Sequence, residues 1–304
     1  MYNLAIIGAG PAGLSASVYA SRYGLKNIII GEPGGLAAKS HEIGNWLGTP
    51  KISGAEFSVR AEEHAKSLGA QIEYAFVDTI EKNKKSFLLK LNNKKEIKAE
   101  TLLLAMGTAH RQLNIPGEKK FLGKGVSYCA TCDGYFYKNK AVAVVGGSDS
   151  AAEGAIFLAD LAEKVYLIYR GDKLRAEKFW LEAIKNNPKI EIIINTSVKE
   201  IKGDDKVGEI ALDNAYKNSE TLKVDGVFIE IGLDPNIELA KNLSLLVDPE
   251  NHIIIDSAGR TNIPGIWAAG DITNGSNKFK QIVTAAAEGA IAARSIEEYL
   301  KSSI

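Results

Sequence analysis

Leu4-Ala5-Ile6-Ile7 is an unbroken apolar run stopped by Gly8, the pattern of a short strand buried on both faces, and Leu14 to Arg22 carries the spacing of a helix. Lys26 to Ile30 is a second strand pattern, so the chain opens as strand, glycine turn, helix, strand. The same order returns near the middle of the chain: strand Ala141 to Val145, turn Gly146-Gly147-Ser148-Asp149-Ser150-Ala151, helix Ala152 to Leu161, strand Lys164 to Tyr169. A helix joining two such strands makes them parallel, with the helix packed on the sheet. The pattern predicts an α/β fold with two Rossmann-like, three-layer dinucleotide-binding domains.

Between these units, Phe87-Leu88-Leu89-Lys90-Leu91 and Glu96-Ile97-Lys98-Ala99 flank polar Asn92 to Lys95, a hairpin pattern that leads into a strand from Thr101 to Met106. Leu113-Asn114-Ile115-Pro116-Gly117 then punctuates the chain, and Gly232-Leu233-Asp234-Pro235-Asn236 does so again after a strand from Val227 to Ile231. Read as two crossings, these make the second domain an insertion in the first. Residues 1–113 and 235–304 form the first domain and residues 114–234 the second.

Composition narrows the partners. The chain has 304 residues, enough for about two domains of roughly 150 each, and 45% apolar with 24% charged residues is ordinary for a folded protein. The 37 Lys+Arg balance the 37 Asp+Glu without a basic block, which argues against nucleic acid or an anionic membrane surface as partner. The start, Met1-Tyr2-Asn3-Leu4, lacks a basic leader, and no apolar run approaches about 18 residues, so a cytoplasmic protein with no membrane association is expected. Glycine, 29 residues, is enriched over the usual proportion of about 7% and gathers where apolar strands end. Backbone there is open to close approach by a ligand.

Gly8-Ala9-Gly10-Pro11-Ala12-Gly13 matches G-x-G-x-x-G in its proper place, after a strand and before a helix. Such a turn brings a pyrophosphate to helix N–H groups, where the positive end of the helix dipole favours it without any lysine. Glu32, at the end of the second strand, can accept both ribose hydroxyls. The equivalent position in the second unit, equally far past Gly146, is Arg170, with Arg175 close behind. A carboxylate would repel a 2′-phosphate and arginines attract it, so this half reads as an NADPH site, with Gly146, Gly147, Ser148, Asp149 and Ser150 as its turn. Ser148 stands where the motif has its second glycine.

The two cysteines of the chain lie in Cys129-Ala130-Thr131-Cys132. A bridge closing so short a loop stabilises little, on the order of 2 kcal/mol. A four-ligand zinc site would need more cysteines, and His41, His64, His110 and His252 are scattered, so no metal is expected. Redox cycling of the pair is the favoured use. Asp133 follows directly, placed to relay a proton as a thiolate leaves or returns.

Together these residues resemble the low-molecular-weight thioredoxin reductase family, the bacterial and archaeal type, along essentially the whole chain. The motifs run in order: Gly8 to Gly13; Gly34-Gly35 with Asn45-Trp46; Ala105-Met106-Gly107; Cys129-Ala130-Thr131-Cys132-Asp133-Gly134; Gly146 to Glu153; Arg170 with Arg175; and Gly270-Asp271 with Lys280-Gln281. The cysteine segment is the most specific, because it lies inside the second domain. The chain departs from the family at Met106, where Thr is usual, at Ser148, and at Tyr169-Arg170-Gly171 in place of His-Arg-Arg.

The resemblance implies FAD in the first domain, its pyrophosphate at Gly8, Gly10 and Gly13 beside Pro11, Ala12 and Glu32. It places Gly34, Gly35, Leu36, Asn45, Ala105 and Gly107 near the flavin, Asp271 after Gly270 on the ribityl chain, and Lys280-Gln281 by the ring system. It implies hydride transfer from NADPH, with NADH possible, to FAD, then reduction of a Cys129–Cys132 disulfide, then of thioredoxin or a thioredoxin-like protein. In that scheme Cys132 faces the flavin, Cys129 attacks the partner and Asp133 manages the proton. A homodimer is expected, as are hinges near residues 113 and 235. Two other readings stay open: a flavin-dependent disulfide oxidoreductase using a small dithiol or another donor, and a non-catalytic flavoprotein redox sensor.

Overall fold

The first stretch of chain forms β1 (Tyr2–Ile7), α1 (Pro11–Arg22), β2 (Asn27–Ile30), α2 (Gly54–Ser67), β3 (Gln71–Glu73), β4 (Val77–Lys82), β5 (Phe87–Leu91) and β6 (Glu96–Leu104). The computed structural model describes residues 1–40 and 43–302. These fall into two units, Met1–Ala109 with Asp234–Ile304, and His110–Leu233.

In the first unit β1 pairs in parallel with β2 and β6, aligning Ile7 with Ile30 and with Leu104. The three strands therefore end together at one sheet edge, directly before the glycine turn. The hairpin pattern is realised by β5 and β6, with Leu89 opposite Ile97, and β4 extends it as a further antiparallel strand. The two strands expected at 96–99 and 101–106 are one. Glu100, at which the apolar pattern breaks, is half-buried and accepts a hydrogen bond from Asn3 Nδ2 at 3.0 Å, so the strand runs through it. Both nucleotide-turn helices begin earlier than the apolar spacing suggests. Pro11, Ala12 and Gly13 lie in the first turn of α1, Pro11 at a position where its fixed φ suits a helix start.

The second unit follows β7 (Thr108–His110) and holds β8 (Val126–Ser127), α3 (Ala130–Asp133), β9 (Ala141–Val145), α4 (Asp149–Leu161), β10 (Lys164–Ile168), α5 (Lys178–Lys185), β11 (Ile190–Ile193), β12 (Val198–Gly203), β13 (Val207–Tyr216), β14 (Ser219–Lys223) and β15 (Gly226–Ile229). Its parallel sheet runs β11-β10-β9-β15-β8, so the repeated strand-turn-helix-strand pattern builds a second sheet of the same kind. The apolar pattern gives no hint of the three-stranded antiparallel sheet β12-β13-β14. One face of it is apolar, through Val198, Ile201, Ile210 and Leu212, and it closes the core formed with Val145, Val227 and Ile229.

The returning chain forms β16 (Leu233–Pro235), α6 (Glu238–Asn242), β17 (Ile266–Ala268) and α7 (Ile282–Ser302). β17 adds in parallel to β6, with Ala268 opposite Leu104, and α7 packs on α1. Gly289 permits that packing: a Cβ there would lie 2.1 Å from the Ala12 carbonyl oxygen. Among the described residues, no helix is long and apolar enough to cross a membrane.

Candidate functional site

The glycine turn of the first unit is shaped by contacts a side chain would block. A Cβ on Gly8 (φ +110°) would sit 2.2 Å from the Ala105 carbonyl oxygen, and one on Gly13 would sit 1.9 Å from the Gly8 carbonyl oxygen. Gly10 differs, since a Cβ there would meet nothing nearer than Gly35 Cα at 4.0 Å. Space is thus left above the start of α1. Gly10 caps that helix with no side-chain hydrogen bond and no acid follows in the first turn, so first-turn N–H groups face that space. An anionic group such as a pyrophosphate fits there.

The distant motifs gather around this turn. The Gly34 amide donates to the Ala9 carbonyl at 2.7 Å, Gly35 lies against Gly10, and Gly270 (φ +82°) packs on Ala12. Asn45 Nδ2 donates to Gln281 Oε1 at 3.0 Å, joining two motifs far apart in sequence. Asp271 is half-buried, and burial pushes its carboxyl up, countered by Lys280 and reinforced by Glu288. Lys280 is itself lowered by burial and donates to the Thr273 carbonyl at 2.6 Å. Glu32 is exposed just past β2, beside Gly31. The structure brings Gly8, Gly10, Pro11, Ala12, Gly13, Gly34, Gly35, Asn45, Ala105, Gly270, Asp271, Lys280 and Gln281 to one region. Leu36 and Gly107 lie next to members of that group.

Glu288 belongs there too, although no motif marks it. Its Oε2 accepts from the Gly270 amide and from Thr273 Oγ1, both at 2.8 Å, fixing the Gly270–Thr273 turn that contains Asp271. The signal available in the sequence is one acid interrupting a run of small residues, Ala285-Ala286-Ala287-Glu288-Gly289.

In the second unit Cys129 and Cys132 form a disulfide, with Cα atoms 5.3 Å apart. Cys129 caps α3, its Sγ accepting from the Cys132 amide at 3.2 Å. Ser127 Oγ donates to Asp133 Oδ2 at 2.6 Å and accepts from the Cys129 amide at 3.0 Å, so one hydroxyl ties the cysteine to the acid. Beneath the turn, the Ala130 amide donates to Glu230 Oε1 at 3.2 Å. Burial, with Glu153 adding to it against that hydrogen bond, pushes the Glu230 carboxyl up to about 7. Ser127 and Glu230 carry no motif, so sequence reasoning does not reach them.

The second glycine turn is covered by a side chain. A Cβ on Gly147 would lie 2.3 Å from the Tyr169 ring and one on Gly171 2.7 Å from it, so the ring lies over both glycines. The Arg175 amide donates to the Gly147 carbonyl at 2.7 Å, and its guanidinium lies 5.9 Å from the centre of the Tyr169 ring. Asp149 and Ser150 start α4 after Ser148, and Asp149 Oδ1 accepts from the Glu177 amide at 2.7 Å. Arg170 is exposed at the end of β10.

The scale of the resemblance is set by known proteins. The family model for pyridine nucleotide-disulphide oxidoreductases matches residues 2–289. The chain belongs to that family. Among its members, the thioredoxin reductase of Bacillus subtilis (strain 168) is 40% identical, covering 99% of this chain and 95% of that protein. The thioredoxin reductase of Helicobacter pylori (strain J99) is 41% identical, covering 99% of both. The crystal structure of thioredoxin reductase from Streptococcus pyogenes superposes with a TM-score of 0.88 at 38% identity over 99% of each chain. As a member of this family the chain is an oxidoreductase with the two-domain dinucleotide-binding fold of the thioredoxin reductases.

The histidines do not all stay scattered. His252 Nδ1 joins Asp248 and Glu250 with ligand atoms within 4.8 Å of one another. Lys278 Nζ already occupies that acidic position, 3.0 Å from Asp248 Oδ2 and 2.6 Å from Glu250 Oε2. His41 lies outside the described residues.

Proposed function

We propose that this oxidoreductase takes hydride from NADPH and uses it, with FAD bound in the first unit, to reduce the Cys129–Cys132 disulfide and then thioredoxin or a thioredoxin-like protein. The observation that carries the reading is the disulfide itself, set in a turn whose acid, Asp133, is hydrogen-bonded through Ser127. FAD supplies a two-electron carrier between a nicotinamide and a disulfide. Gly8, Gly10 and Gly13 would take its pyrophosphate at the open start of α1, with Glu32 at the ribose and Asp271 at the ribityl chain. Gly34, Gly35, Leu36, Asn45, Ala105, Gly107, Lys280 and Gln281 would surround the rest. Gly146 to Ser150 with Arg170 and Arg175 would hold NADPH.

The protein's own residues then carry out the exchange. Cys129, as thiolate, attacks one sulfur of the partner's disulfide, forming a mixed disulfide and releasing the partner's other sulfur as a thiolate. Cys132 attacks Cys129 Sγ, re-forming the internal disulfide and freeing the second partner sulfur. The proton of the Cys132 thiol and a second one relayed through Asp133 end on the partner's two thiols. The protein would act as a cytoplasmic homodimer.

A second reading concerns the donor. The Tyr169 ring lies against Gly147, where backbone would otherwise meet the pyrophosphate that NADPH and NADH share, which disfavours both and favours another donor. Anaerobic titration of the FAD-loaded protein with NADPH, NADH and a low-potential protein donor, followed by thioredoxin, separates the readings. Flavin bleaching by NADPH and loss of thioredoxin's disulfide are expected. Bleaching by neither nicotinamide rejects the donor assignment, and bleaching without thioredoxin reduction rejects the partner.

A further inference from the structure

Glu230 lies just past β15, half-buried beneath the cysteine turn, and the reaction as described above makes no use of it. Its Oε1 accepts the Ala130 amide at 3.2 Å, and its side chain packs over Gly154 of α4, where a Cβ would lie 3.7 Å from Glu230 Cγ. Covalent geometry adds a limit. Ala130 N is peptide-bonded to Cys129, so a carboxyl touching that nitrogen stands within about 8 Å of Cys129 Sγ.

The groups around it are mostly of its own sign. Glu153 faces it from α4, and Asp133 ends the helix whose first amide it holds. Arg111, from the start of the unit, packs its guanidinium over Gly232, two residues further along the chain. Opening the disulfide beside such a carboxyl creates a new negative charge. Two nearby negative charges in a partly desolvated site disfavour each other, and the cheapest relief is a proton on one of them.

We propose that Glu230 is a positioning residue for the dithiol, holding the Ala130 amide while the disulfide is closed and taking up a proton when it opens. The inference rests on the Cys129–Cys132 pair being the redox couple. The balance is complete: disulfide, Glu230 carboxylate, two electrons and two protons give one thiol, one thiolate and a neutral Glu230. The electrons are those the oxidoreductase delivers in its own reaction. When the thiolate is spent on a partner disulfide, Glu230 releases its proton to the departing sulfur or to solvent. The dithiol is thereby kept singly charged through the cycle.

The test uses the full-length FAD-loaded protein, chemically reduced and desalted, with the rate of Cys129 alkylation by iodoacetamide followed by peptide mass from pH 5 to 9. The wild type is expected to show two inflections, one from the thiol and one from Glu230. Glu230→Gln is expected to lose the lower inflection, to leave the thiolate fraction at pH 6 nearly unchanged, where Glu230 is already neutral, and to raise it at pH 8 by up to about tenfold, the scale for removing one nearby like charge. Glu230→Asp, which keeps the charge, should restore the second inflection. A Glu230→Gln profile with both inflections in place overturns the proposal. Should Glu230→Gln not fold, infrared difference spectra of the wild type settle the matter: a protonated-carboxyl band appearing on reduction at pH 7 to 8 supports it, and its absence overturns it. Chemical reduction makes these measurements independent of thioredoxin, so the functional reading and this one fail separately.

Discussion

Cys129 and Cys132 share one hydrogen-bonded turn, yet the reaction asks different things of them. Replacing either by Ser should abolish thioredoxin reduction while flavin bleaching by the nicotinamide persists, since only the later station is lost. Stopped-flow absorbance with and without thioredoxin checks this, and wild-type turnover by Cys129→Ser would remove the pair from the reaction. The nicotinamide site gives a second residue-scale expectation. Each charge-assisted bond to a 2′-phosphate contributes about 1.5–3 kcal/mol, but Arg175 is partly committed to the Tyr169 ring. The preference for NADPH over NADH should therefore be modest, about tenfold to a hundredfold in kcat/KM, or roughly 1.4–2.8 kcal/mol. Arg170→Ala with Arg175→Ala should erase it with little loss of NADH activity. Gly171→Arg, which sequence comparison alone would suggest as a way to widen the preference, must first displace the Tyr169 ring from a site 2.7 Å away.

At the scale of elements, the first nucleotide turn depends on α1 being held from behind by α7. Gly289→Ala places a methyl 2.1 Å from the Ala12 carbonyl oxygen, in backbone that cannot yield without moving the turn. Overpacking of this kind costs about 1–3 kcal/mol. The variant should unfold at lower urea and release FAD more readily than the wild type, as read by flavin fluorescence. Equal stability and equal flavin retention would show that the two helices slide apart freely. The hairpin and the parallel strands were legible in the apolar pattern because each buries a continuous or alternating face. The sheet β12-β13-β14 was not, because it mixes apolar positions with an exposed outer half, as in Asp213-Asn214-Ala215, and its register carries bulges.

For the whole molecule, two carboxyls give stability opposite dependences on pH. Burial of Asp248 would raise its carboxyl, but the amides of His252 and Glu250 and the Lys278 ammonium outweigh it and hold it at about 2. Its contribution is present above the ordinary value of 3.8 and is lost as pH falls toward 2. Glu230, ordinarily at 4.5, is raised to about 7, so the folded state keeps a proton that the unfolded chain releases. Stability from this group is fully present below 4.5 and is lost as pH rises through 7. Thermal unfolding followed from acid to mildly alkaline pH should show a decline across each window. Glu230→Gln should flatten the upper one, and Asp248→Asn should lessen the loss on the acid side. A wild-type melting temperature constant across the upper window, or an unchanged slope there in Glu230→Gln, would contradict the assignment.

The sequence by itself determined the two strand-turn-helix units, the glycine turns that end their first strands and the spacing that lets Cys129 and Cys132 pair, because each is written in neighbouring residues with short-range geometry. Resemblance carried the distant flavin-side motifs, which no local rule connects. Only the tertiary structure decided that Asn45 meets Gln281, that Glu288 fixes the Gly270 turn, that Tyr169 covers Gly147, and that Glu230 lies under the disulfide. Those are contacts between groups far apart in the chain. Burial and hydrogen bonding at such meetings set which groups hold a proton, and no spacing along the sequence records them.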